Sequence, residues 1–342
     1  MTKALAIVTI WLSGASVSAA LWAPTTWDEQ RDGFVSVASI LGSDASQLLL
    51  PRAASVMTTL RFLAAHEPYM VRGFAEILRE VCAAPGGAGT FVDSGSNEGF
   101  FSLLAASHGC RAVAIDPQPR CVEMLRAAAA RNGGAVVRNL EVYNALLAAS
   151  PTSSLLPLDT CFGDAQLPPN GNLVSSVTPH VGRVMQKQYQ RAEAAQLKKP
   201  RVNVSSIALD ALVAGDVQLW HIDVEGAELP VLRSAARLLQ QRHVQRVVLE
   251  VIPSAWAKFG VPDLERGLAE LAHTFRHHRC CLACDGTPYH WDLWPATPRS
   301  KNATQCVDVA CTLKMLDKHD ARPLFDPFCG VGGDQYSSLQ EY

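Results

Sequence analysis

Residues 90–119 read TFVDSGSNEGFFSLLAASHGCRAVAIDPQP, and this stretch decides the fold. Phe91 and Val92 begin a short apolar run that ends at Asp93, Gly95 and Gly99 bracket a tight turn, and Phe100 to Ser107 carries apolar residues at helical spacing. A second strand, Ala112 to Ile115, stops at Asp116. Strand, glycine turn, helix and strand put backbone N–H groups and a helix N-terminus at the end of a parallel strand, with a carboxylate available for a ribose diol. The stretch is the outline of a nucleoside-cofactor site.

The same alternation continues downstream. Pro119 to Asn132 reads as a helix with Val122, Leu125 and Ala129 on one face and Gly133-Gly134 as its stop. Val136 to Leu147 reads as a strand region, with Asn144 near its end. Residues 149–200, rich in Pro, Ser, Thr, Asn and Gln, form an irregular insertion expected over the substrate side. Regular pattern returns at 202–213, and Val217 to Ile222 is an apolar strand that ends at Asp223. Gly226 then makes a turn, and Glu228 opens a helix with Leu229, Leu232, Ala236 and Leu239 as its buried stripe and Pro230 in the first turn. Val247 to Ile252 is a further buried strand. The fold class predicted is α/β, a doubly wound, mostly parallel sheet.

Both flanks differ from this core. Residues 25–89 read as a helical extension without strands, in which Phe74, Ile77, Leu78 and Val81 follow helical spacing. After a helix at Asp263 to Phe275, RCCLACD (279–285), a turn at Asp285-Gly286, YHWDLW (289–294) and CVDVACTL (306–313) predict an antiparallel pair on one sheet edge. Residues 315–342 read as a loosely ordered tail.

At 342 residues, 48% apolar and 18% charged, the chain is globular, and a net charge of −2 gives no electrostatic case for nucleic acid or an anionic membrane. Lys3, the apolar run Ala4 to Leu12 and the small residues SGASVSAA (13–20) read as a secretory signal peptide cleaved before Leu21. The alternatives are an uncleaved anchor of type II orientation and a bipartite plastid leader; without an anchor no stable membrane insertion is expected. A secretory location makes Asn203 and Asn302 glycosylation candidates. It also favours disulfides over zinc for Cys280, Cys281, Cys284, Cys306, Cys311 and Cys329, whose spacing repeats no ligand pattern. Cys82, Cys110, Cys121 and Cys161 read as buried thiols.

D-S-G-S-N-E-G at 93–99, A-I-D-P at 114–117 and I-D-V-E-G-A-E at 222–228 closely resemble the FkbM family of S-adenosylmethionine-dependent methyltransferases. Asn144 in Y-N-A and Val204 with Leu209-Asp210 match lesser landmarks of that family, and the resemblance covers about residues 90–253. It implies a class I methyltransferase, Rossmann-like, that binds S-adenosyl-L-methionine. Asp116 would then take the two ribose hydroxyls, Gly95 and Gly99 would permit the turn, Asp93 would face the methionine end, and Asn144 would lie near the adenine or serve as a plain turn residue. Asn97 stands where a dinucleotide fingerprint wants its second glycine, and Asp93 before the turn would repel a pyrophosphate, so a nicotinamide oxidoreductase is disfavoured.

Asp223 and Glu225, at the carboxyl end of a central strand, are the residues expected to carry catalysis, one of them facing the acceptor. Glu228 reads as a charge on a helix N-terminus, and His221 as a packed core histidine. Glu250 with Asp223 has the donor type for a divalent cation, but paired carboxylates more often serve structure, so no metal is assigned. The family resemblance implies O-methylation, with a small molecule or glycan of the secretory pathway as the expected acceptor. The competing class is a secreted binding protein on a retired methyltransferase fold, against which the intact Asp93, Gly95, Gly99 and Asp116 argue.

Overall fold

A seven-stranded sheet carries the chain in the order β11-β12-β10-β9-β3-β4-β5, where β3 is Thr90–Ser94, β4 Arg111–Asp116, β5 Leu140–Asn144, β9 Leu219–Ile222, β10 Arg246–Glu250, β11 His278–Leu282 and β12 Asp308–Leu313. The computed structural model describes residues 33–41, 48–83, 89–157, 161, 200–284, 286, 288–289, 291, 308–313 and 327–329. The five strands from β10 to β5 are parallel, and β12 and β11 add an antiparallel edge. From β3 the chain runs outward through β4 to β5 and then returns to β9 on the other side of β3. The order therefore reverses between β3 and β9, which is where open sheets of this kind hold ligands, at the carboxyl ends of the strands.

Helices cover both faces, and strand alternation decides which residue meets which layer. Phe91, Ala112, Ala114, Leu219, Val248 and Ala310 point into one core with α2 (Ala54–His66), α3 (Pro68–Cys82), α4 (Phe100–Ser107) and α5 (Pro119–Asn132). Val92, Val113, Trp220, Ile222, Leu249 and Val309 point into the other, against α8 (Glu228–Arg233), α9 (Ala236–Gln240) and α10 (Leu264–Thr274). The N-terminal extension is thus part of the first layer, and Phe74, Ile77, Leu78 and Val81 are all buried.

The smaller elements are β1 (Phe34–Ser36), α1 (Ala38–Leu41), β2 (Leu49–Pro51), α6 (Gly134–Asn139), β6 (Leu146–Leu147), β7 (Ser153–Pro157), β8 (Arg201–Ile207) and α7 (Leu209–Leu212). β6, β8 and β7 form a small second sheet beside β4 and β5.

Several sequence expectations change. The N-terminal extension contains strands after all, because β1 and β2 pair antiparallel. Residues 134–139 are helical, so the strand expected from Val136 begins only at Leu140. The helix after Glu228 breaks at Ser234–Ala235, which rotates the buried stripe: Ala235 and Leu238 are buried and Ala236 is exposed. The edge pair joins 278–282 to 308–313, with β12 lying between β10 and β11. Among the described residues the expected hairpin arm meets the edge through the Pro288–Cys281 bridge and the Tyr289 N–H, which donates to the Cys280 carbonyl at 2.8 Å.

The four cysteines read as thiols are paired, Cys82 with Cys110 and Cys121 with Cys161. Cys280–Cys311 and Cys281–Cys329 are also disulfides, and Cys284 is disulfide-bonded as well. No helix among the described residues is long and apolar enough to cross a membrane. The N-terminal leader, most of the insertion, Asn302 and nearly all of the tail lie outside the described residues, whereas Asn203 is exposed on β8.

Candidate active site

The loop after β3 is shaped by what a side chain would strike. Gly95 has φ +79°, and a Cβ there would fall 1.7 Å from the carbonyl oxygen of Asp223, so the two strands that flank the switch point touch through a missing side chain. At Gly99, φ +83°, a Cβ would meet Leu125 at 2.1 Å. Asn97 also has positive φ, +50°, a conformation that asparagine tolerates better than most residues.

Asp116 ties this loop to the next strand. Its Oδ2 accepts from the Asn97 N–H at 2.9 Å and its Oδ1 from the Gln118 N–H at 2.7 Å, while its backbone carbonyl accepts from Asn144 Nδ2 at 3.0 Å. Burial pushes the Asp116 carboxyl up to about 7, with Glu98 and Asp93 adding to the rise against the two backbone hydrogen bonds. Two N–H donors leave part of the carboxylate's acceptor capacity for a ligand. Ser96 Oγ, in the same loop, is buried without a partner among the described residues. A Cβ-free turn, a carboxylate with spare acceptor capacity and an orphaned hydroxyl fit a nucleoside with a free ribose diol.

Asp93 sits differently from its expected position. It is 1% exposed, and its oxygens serve His221 Nδ1 at 2.9 Å and Ser102 Oγ at 2.5 Å. The β3–β9 register sets Asp93 directly opposite His221. A carboxylate enclosed in this way positions the histidine and does not face an open cofactor cleft.

On the other side of the switch point, Asp223 and Glu225 are exposed, and Glu225 adopts φ +52°. One carboxylate oxygen from each of Asp223, Glu225 and Glu250 lies within 4.8 Å of the others. Such clusters are common on protein surfaces without an ion, and no metal role is assigned to this one. By alternation Glu250 and Asp308, which face each other across β10 and β12, point to the same layer as Asp93 and His221. The start of α3 closes this end, where Tyr69 OH donates to Asp308 Oδ2 at 2.8 Å.

Burial and the repulsion of neighbouring carboxylates push these acids up together. Burial, then Asp308 and Asp223, raises Glu67 to about 8; burial, then Asp223 and Glu228, raises Glu225 to about 7. Burial raises Asp308 to about 6 despite the Tyr69 hydrogen bond, and burial with the Asp223, Asp308 and Glu225 charges raises Glu250 well above the carboxylate range. The chain thus gathers acids at the carboxyl ends of β9 and β10 and the start of β12, from exposed Asp223 and Glu225 to buried Asp308, close enough for each to raise its neighbours.

Glu228 has a different task. It is fully buried, with Oε1 accepting from the Gly226 N–H at 2.9 Å and Oε2 from Trp256 Nε1 at 2.7 Å, which fixes the turn that presents Glu225. Asp210 likewise caps α9 through the N–H groups of Arg237 and Leu238. Sequence reasoning missed two parts of the site. Glu67 and Tyr69 lie far from any motif and arrive through helix packing, and Cys161 anchors the insertion beside the loop after β3, its Sγ 2.9 Å from Asn97 Oδ1.

Residues 93–279 match the methyltransferase FkbM domain family. Among solved structures, the chain is similar to a methyltransferase FkbM from Methylobacillus flagellatus KT, with 12% identity over 80% of this chain and 58% of that one and a TM-score of 0.37. It is similar to WbdD with 18% identity over 71% of this chain and 39% of that one, TM-score 0.34. An rRNA methylase from Streptococcus thermophilus gives 10% identity over 70% and 93%, TM-score 0.35. The chain therefore spans little more than half of the first of these proteins and well under half of the second. No curated relative matches the sequence.

Proposed function

The chain belongs to the FkbM methyltransferase domain family, whose match spans more than half of its length, and from that premise we propose that it transfers the methyl group of S-adenosyl-L-methionine to a hydroxyl oxygen. The observation that carries the reading is Asp116, a strand-end carboxylate fixed by the Asn97 and Gln118 N–H groups beside a loop that must lack a Cβ at Gly95. Gly95, Asn97, Gly99 and Asp116 would hold the cofactor, with Asn144 orienting Asp116 from the neighbouring strand. When bound, the cofactor supplies a methyl group on a sulfonium cation.

The acceptor is a polyhydroxy compound, a glycan of the secretory pathway by preference. Asp223, Glu225, Glu250 and Asp308 line the cleft beside the switch point, and carboxylates accept hydrogen bonds from hydroxyls while repelling anionic acceptors. Across Tyr69 a cavity of ≈ 330 Å³, lined in part by Arg72, Glu76 and Phe328, offers room for the rest of such an acceptor. Disulfides among the described residues support an oxidising compartment. Calorimetry with S-adenosylmethionine, S-adenosylhomocysteine and NAD tests the reading. Binding of the first two and not the third is expected, and absence of binding by both sulfur compounds would sink it.

A further inference from the structure

Among the described residues, His221 is the basic side chain that the sheet directs into this acidic end. Its Nδ1 lies 2.9 Å from Asp93 Oδ1, and Asp93 is itself held by Ser102 Oγ at 2.5 Å. Nε2 has no hydrogen-bond partner among the described residues. Phe74 and Phe101 meet the ring edge-on at centroid distances of 5.2 and 4.9 Å, which fixes its plane. A carboxylate that accepts from Nδ1–H selects the tautomer whose Nε2 carries a lone pair. The arrangement has three members in series: a hydroxyl, a carboxylate and an imidazole.

We propose that His221, oriented by Asp93, is the general base that removes the acceptor's proton. This rests on the methyl-transfer reading above. The acceptor O–H proton passes to Nε2, the oxygen pair forms the new C–O bond, and the C–S pair leaves with sulfur. One positive charge moves from sulfonium to imidazolium, so the step needs no further reactant, and the proton then passes to water. Asp93 is a positioning residue.

The charged groups that act on the ring are Asp93 on β3, Asp223 after β9 and Asp308 on β12; Glu250 on β10 and Glu67 and Tyr69 at α3 gather around Asp308. Burial favours the neutral ring, but the Asp93 hydrogen bond and the charges of Asp93, Asp223 and Asp308 outweigh it and hold its pKa above that of an ordinary histidine. The carboxylates orient the hydroxyl and stabilise the imidazolium once formed, while the histidine takes the proton.

Three measurements on the full chain test this. His221→Gln keeps S-adenosylhomocysteine affinity within about threefold but slows transfer of labelled methyl into acceptors of a cell extract at least about 100-fold, the usual scale of a general base. In nitrogen-15 spectra of ring-labelled histidine, the His221 signal shows protonated Nδ1 and titrates at Nε2 with a midpoint above pH 6.5. Asp93→Asn lowers that midpoint and moves the acid limb of the pH–rate profile with it. Parental turnover with an unchanged acid limb in His221→Gln would overturn the proposal. So would a ring that never titrates, a readout that stands even if the glutamine variant fails to fold. A parent that binds no S-adenosylhomocysteine overturns the methyl-transfer reading and the base with it, whereas loss confined to the histidine results leaves that reading intact.

Discussion

Asp116 concentrates the residue-scale argument, because one carboxylate braces the cofactor loop and offers its remaining lone pairs outward. Asp116→Ala removes both functions, and S-adenosylhomocysteine affinity is expected to fall about 100-fold, near 3 kcal/mol, the scale of two hydrogen bonds to a charged group. An alanine variant that bound as tightly as the parent would detach the residue from the cofactor. Asp223→Asn and Glu225→Gln act on the other half of the site. Each is expected to slow turnover about 10-fold or more while leaving cofactor affinity within a factor of three; parental turnover in both would remove them from the reaction. What could be read from sequence here divides by distance along the chain. Gly95, Gly99 and Asp116 declared themselves because turn and strand end are local, whereas Glu228, read as a charge on its helix start, is buried against the Gly226 N–H and Trp256 Nε1. Asp93 and His221 stand 128 positions apart and meet only through strand pairing, so a motif that names Asp93 cannot reveal that its oxygens are already engaged.

Elements were legible where period and punctuation agreed. The strand–turn–helix unit at 90–107 and the α3 stripe follow from alternation and helical spacing, and the parallel order follows from strands interleaved with helices. The break at Ser234–Ala235 and the insertion of β12 between β10 and β11 were not legible, since each is settled by tertiary packing. The disulfide Cys121–Cys161 is the element-scale feature with the clearest consequence. It ties α5 to the start of the insertion, 40 residues along the chain, against Asn97 of the cofactor loop. Replacing both cysteines with serine is expected to cost about 2–4 kcal/mol of stability by freeing a long loop in the unfolded chain. It should also weaken S-adenosylhomocysteine binding, which the Cys82–Cys110 pair, remote from Asn97, should not do when replaced in the same way. Denaturant melts and calorimetry on the two double variants separate the general effect from the local one.

Over the whole molecule, the acidic cleft sets the pH dependence of stability. Glu67, Asp116, Glu225 and Asp308 have carboxyls raised to between about 6 and about 8, and Glu250 is raised further in the same direction. The unfolded chain returns these groups to the ordinary carboxylate range, near pH 4. Between the two values the folded state binds more protons than the unfolded one, so stability falls as pH rises. The contribution is complete below about pH 4, is lost progressively as pH rises from there, and is gone once pH has passed the folded values of about 6 to about 8. His221, also raised, acts with the same sign, its contribution present below its unfolded value and lost as pH climbs past the folded one. The prediction is that the melting temperature at pH 5.5 exceeds that at pH 8.5 by several degrees, against the habit of proteins whose salt-bridged acids favour neutral pH. Glu67→Gln, which fixes one member of the cluster in its neutral form, should raise the melting point strongly at pH 8.5 and much less at pH 5.5. If the parent instead melts higher at pH 8.5, the raised carboxyls at the switch point do not govern the pH dependence of stability.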